Sequence, residues 1–252
     1  MGRECKMVFI DESGAGTIKQ DKNSLWITAG VLSSLDAHGT LTRDFQEMKD
    51  NLMRNPSEEL KGSIVSRHLL EGKTAADVAI GVSELMRRYD MGAWITGANR
   101  DYAQSDRGRF TPSNAKKGLQ AKDIARELLL ERISGYAGAR AMEPRIYQLI
   151  WDLSDVGELI DYSAVTSAYK DPRSGKSVDP QIIPKILGAL SHDWAELQIA
   201  DVLSNFALNR IAEGRFPDAD SEKSAAFKEH LCPLLVRSAG CTDPDSWGLL
   251  GL

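Results

Sequence analysis

Three aspartates occupy positions where a carboxylate has little structural use. Asp11 comes directly after the apolar run 7–10, with Glu12 beside it and the turn-forming residues 13–16 behind it. Asp152 closes a second run, 146–151, that is apolar except for Gln148. Asp201 is the only charged residue in the stretch 197–208, and helical spacing puts it on one face with Leu197, Ser204 and Leu208. A carboxylate on such a face is costly to bury unless it is paired or holds a metal. Two have plainer alternatives: a strand end running into a solvated turn for Asp11 and Glu12, and for Asp201 a bond to a buried serine or arginine or a helix face that is exposed. Two strands that carry an acid at the same end would bring Asp11 and Asp152 together at the rim of a sheet, where ligand sites of α/β sheets form.

Weaker candidates surround them. Glu59 follows Glu58, a pair that also reads as solvated surface, but Lys61 would share its side in an extended segment and would suit a scissile phosphate. Gln198 lies one helical turn before Asp201 and would help to orient the same site. Glu12, Glu131 and Asp155 are the alternatives to Glu59 for completing the set. Carboxylates from two strands, an extended segment and a helix suit hard divalent cations such as magnesium or manganese. Two such ions would activate water and stabilise the leaving oxygen of a phosphodiester. The expected ligands are Asp11, Glu59, Asp152 and Asp201, with Lys61 and Gln198 completing the catalytic set.

Other chemistries lack their motifs. His38, His68, His192 and His230 show no HExxH or paired spacing, and there is no GxGxxG, GxxxxGK[ST] or GxSxG. Cys5, Cys232 and Cys241 are scattered, which argues against a disulfide framework or zinc site and for a reducing, cytoplasmic setting. No stretch approaches a membrane span, and the first apolar run begins too early for a signal peptide. The net charge of −5 disfavours wholesale capture of nucleic acid, yet a metal-dependent nuclease carries an acidic site by design.

The pattern of elements is that of an α/β protein. Residues 7–10 read as a strand ending at Asp11, and 24–34 as a second strand in a hairpin with it. Helical spacing covers 36–54, 69–89, 115–136 and 194–211, the last with Asp193 as its N-cap. Residues 93–96 and 146–151 read as strands, 58–65 as a short extended segment, and 99–114 as a loop. This alternation predicts a mixed sheet with helices on its faces. A single domain over 1–252 is the simplest organisation, with a helical insertion within 69–136 and a tail, 214–252, docked on the body.

Ile10-Asp11-Glu12-Ser13-Gly14, the strand around Ala29-Gly30-Val31, Glu59-Leu60-Lys61, a strand-terminal Asp152 and Leu197-Gln198-Ile199-Ala200-Asp201 occur in that order. Together, over about 7–210, they resemble the bacterial domain of unknown function 3800 family. The resemblance implies a ribonuclease H-like fold and a nuclease-like site, with Asp11, Asp152 and Asp201 as metal ligands and Glu59 as the second acid. It also implies an association with phage defence or mobile elements, and RNA or DNA as substrate. Two other readings fit the residues: a metal-dependent phosphatase using a strand-end aspartate, and a non-catalytic nuclease-fold module of a larger complex.

Overall fold

A computed structural model of the chain describes residues 4–14, 25–99, 145–152, 186–213 and 219–236, and parts of 125–137. Five strands, β1 (Glu4–Gly14), β2 (Leu25–Ser34), β3 (Gly92–Asn99), β4 (Arg145–Asp152) and β5 (Leu187–Ala189), form one mixed sheet in the order β3-β2-β1-β4-β5. The first three are antiparallel neighbours, whereas β4 and β5 run parallel to β1. The helices are α1 (His38–Leu52), α2 (Val65–His68), α3 (Ala75–Arg88), α4 (Ala195–Ala212) and α5 (Ser221–Ala226). The described residues of 125–137 are also helical. The chain is therefore an α/β protein with a five-stranded mixed sheet flanked by helices, and no described helix is long and apolar enough to cross a membrane.

The period of two in β1 sorts the two sides of the sheet. Met7 and Phe9 pack with Ile150 and with Leu197 of α4. Val8 and Ile10 face the other way, onto Leu129, Leu130 and Ile133 of the helical segment and Tyr147 and Trp151 of β4. The larger core lies on the α4 side, where Ile27, Ala29 and Val31 of β2 meet Leu41 and Phe45 of α1, Val78 and Val82 of α3, and Phe227 beyond α5. Helix α4 is buried almost all round, because α1 and α5 cover the flanks that the sheet leaves open. Helix α3 starts with a reciprocal capping box between Thr74 and Asp77.

Several expectations are revised. β1 does not stop before the acidic pair: it stays paired with β2 through Gly14 opposite Trp26. Residues 58–64 form no strand, with a turn only at 62–64, because the amides of Leu60 and Gly62 bond to side chains of α4 instead of a neighbouring strand. Within 69–136, α3 and β3 are integral to the helix layer and sheet. Asp193 is not the cap of α4; that position is held by Trp194 with no side-chain bond, while Asp193 lies in a 3-10 turn beside His192. Glu131, Asp155, the loop beyond 99, the start of the 115–136 helix and the end of the tail lie outside the described residues.

Candidate functional site

Asp11 and Asp152 share the α4 face by strand alternation, since each lies two residues beyond a member of the Phe9–Ile150 pair. The last registered pair of β1 and β4, Ile10 and Trp151, makes the two aspartates the next step along neighbouring parallel strands. Asp201 enters from α4, packed across that same face. Ser13 fastens helix to strand here: its Oγ lies 2.9 Å from Ser204 Oγ, and Ser204 Oγ donates to the Asp201 carbonyl at 3.0 Å. A carbonyl only accepts, so the Ser13 hydroxyl is the donor in the first bond.

The carboxylates repel one another. Burial raises Asp11 well above the ordinary carboxylate range; the charges of Asp201 and Asp152 push the same way, and the Glu12 amide, 2.6 Å from Asp11 Oδ1, opposes them. Asp201 is pushed up to about 6, mainly by burial, with Glu59 and Asp152 adding to it; the Gly62 amide and Lys61 pull it back. That amide donates to Asp201 Oδ2 at 2.7 Å. Burial would lower Lys61, but Glu59, Asp201 and Asp152 hold its ammonium above the usual lysine value. Like charges gathered with hard oxygen donors are what a divalent cation would relieve. Among the described residues, no group of three or more His, Cys, Asp or Glu side chains is placed so as to hold a metal ion.

The supporting residues divide sharply. Glu59 is ion-paired with Lys61, Oε2 to Nζ 3.1 Å. It also acts on buried Lys49 of α1, whose pKa burial lowers and whose ammonium lies 5.9 Å from the Phe45 ring. Glu59 is thus a counter-charge to lysines as well as a neighbour of Asp201. Gln198 has both ends of its amide committed, accepting from Leu60 N at 2.8 Å and donating to Ser191 O at 3.1 Å. It positions the 59–62 loop and does not reach for a ligand.

Glu12 is neither solvent-facing nor part of the acidic cluster. It points to the opposite side of β1, where Arg126 Nε and a second guanidinium nitrogen, at 2.8 Å, donate to its two oxygens. Trp26 Nε1 donates to Oε2 at 3.0 Å, and the Arg126 guanidinium lies over the Trp151 ring at 5.5 Å. The Trp26 ring crosses Gly14, where a Cβ would stand 2.0 Å from a ring carbon. Each residue of Asp-Glu-Ser-Gly therefore has a separate physical reason: site carboxylate, buried ion pair, bolt to α4, and room for an indole.

Gly62 was not among the expected site residues, and only close packing explains it. A Cβ there would lie 2.6 Å from Asn205 Cβ and 3.0 Å from the Asp201 carbonyl oxygen. The loop crosses α4 nearly backbone to backbone, which lets one of its amides reach Asp201. Gly62→Ala should destabilise the protein by about 1–3 kcal/mol, as overpacking against a rigid backbone does. It should also detach the amide from Asp201; urea unfolding and NMR of that amide check both effects. A chain compared with protein-family models and with curated proteins finds no match among them.

Proposed function

We propose that the chain is a divalent-metal-dependent nuclease of ribonuclease H-like architecture, of the kind implied by its resemblance to the domain of unknown function 3800 family. The observation that carries this reading is the shared face of Asp11 and Asp152 on neighbouring parallel strands, with Asp201 entering from α4. A mixed sheet flanked by helices is compatible with that architecture. Asp11, Asp152 and Asp201 would hold magnesium or manganese, with Glu59 at the margin. The bound cations would supply an activated water and charge stabilisation at the leaving oxygen.

The remaining work falls to the chain. Lys61, about half exposed and ion-paired only with Glu59 among the described contacts, is free to turn its ammonium toward a phosphate oxygen. Ser13 and Ser204 hold the Asp201 helix in register with Asp11. Gln198 and the Asp201 carboxylate fix the loop that carries Glu59 and Lys61. A setting in phage defence or mobile-element biology follows from the resemblance alone.

The test is cleavage of single-stranded, duplex and hybrid RNA and DNA with magnesium or manganese. Wild-type protein should cut at least one of them, and Asp11→Asn and Asp152→Asn should each lose roughly 10³-fold in rate, about 4 kcal/mol of transition-state stabilisation. Retained cleavage in both variants overturns the assignment. Turnover of small phosphoesters through an aspartyl-phosphate would establish a phosphatase instead. Absence of divalent-ion binding at millimolar concentrations would leave a non-catalytic module.

A further inference from the structure

We infer that Lys223, from the C-terminal part of the chain, is a positioning residue for Asp201 that acts through Gly62. This rests on the metal-site reading above. Lys223 is a buried lysine at the start of α5, whose N-cap is Asp220. Among the described residues its ammonium pairs closely with no carboxylate; the ion-pair distance to Asp220 is 3.9 Å. Instead Nζ donates to the carbonyl of Gly62 at 2.7 Å, to the carbonyl of Ser63 at 3.4 Å and to Asn205 Oδ1 at 3.3 Å.

The consequence lies in the two sides of one residue. Gly62 gives its N–H to Asp201 and takes the Lys223 ammonium on its C=O. With both ends held, neither adjoining peptide is free to rotate, and the amide stays aimed at Asp201 Oδ2. Both anchors join Gly62 to an ionisable side chain at 2.7 Å, the short and strong kind of hydrogen bond when that side chain is charged. The glycine has no side chain to keep it off α4, so the clamp replaces the restraint that a packed side chain would otherwise supply. Lys223 itself belongs to α5, which packs on α4 and α3, so the C-terminal part of the chain takes part in building the site. Outer supports of metal ligands act in this manner, by fixing which oxygen is left for the cation.

Lys223→Met keeps an apolar stem and removes the ammonium, which both donates these bonds and lies 5.9 Å from the Phe206 ring centroid. In the full chain, manganese titration by calorimetry should show its dissociation constant raised about tenfold, with Lys223→Arg recovering most of the loss. Hydrogen exchange at the Gly62 amide, read by NMR without metal, should quicken in Lys223→Met and return toward wild type in Lys223→Arg. If Lys223→Met folds poorly, Lys223→Gln carries the same comparison. Faster exchange with an unchanged dissociation constant would overturn the inference and leave Lys223 a bolt for the loop; unchanged exchange would overturn it also. Wild-type protein that binds no manganese at millimolar concentrations would overturn the metal reading and this inference together, whereas wild-type binding matched by Lys223→Met removes the inference alone.

Discussion

Replacing Asp201 with Asn should make the protein more stable at neutral pH while abolishing its cleavage. The amide keeps the shape of the carboxylate and an oxygen to accept from Gly62 N, so the loop contact survives. What disappears is a buried negative charge among others. In the wild-type protein the Asp201 pKa is raised from 3.8 to about 6. The native state therefore holds this proton more tightly than the unfolded chain, and stability falls as pH rises between these two values. The penalty is absent below the lower value and complete above the higher one. A shift of this size corresponds to about 2–3 kcal/mol, or roughly 5–10 °C in melting temperature for a chain of this length. Wild type and Asp201→Asn should melt together near the acid end of that window and diverge through it, with the variant higher. Manganese should narrow the gap by stabilising only the wild type. A variant that melts at or below wild type at neutral pH would contradict the carboxylate crowding on which the site rests.

Arg126→Met should produce the largest loss of stability. Its partner Glu12 has a side chain only 3% exposed, and both of its oxygens accept from the guanidinium. Removing the cation takes two charged donors from a buried carboxylate that also accepts from the Trp26 indole. Breaking a buried pair in this way costs about 3–5 kcal/mol, roughly 10 °C in melting temperature. Glu12→Gln with Arg126→Met should recover much of the loss, since neither charge then remains, and a double-mutant cycle measures the coupling. The double variant should still bind manganese, because Glu12 faces away from the aspartates. Loss of metal binding in a well-folded double variant would place Glu12 in the site after all.

Local pattern and tertiary partnership differ in how far a sequence reveals them. The apolar runs before Asp11 and Asp152 expose the strands, and a period of two assigns the faces once the strands are neighbours. Asp201 stands out because helix 197–208 offers it no charged partner nearby in sequence. Other features depend on residues far away along the chain. The fate of Glu12 is decided by Arg126, 114 positions later, so the acidic pair alone does not show that β1 continues past it. The 58–64 segment contains no strand because its amides find Gln198 and Asp201, more than a hundred residues downstream. Gly62 and Lys223 look unremarkable as letters; their meaning lies in the close crossing of a loop over α4. Asp193 shows the converse, a residue with the right chemistry for a cap that the chain turns into a 3-10 turn instead.

The central claim is that Asp11, Asp152 and Asp201 form one cation site, and calorimetric titration of manganese into the full chain tests it most directly. Wild-type protein should bind at millimolar concentration or tighter, Asp11→Asn, Asp152→Asn and Asp201→Asn should each weaken binding by tenfold or more, on the order of 1.4 kcal/mol, and Glu59→Gln should weaken it less. No binding by wild type, or binding that persists unchanged in the three aspartate variants, would contradict the account.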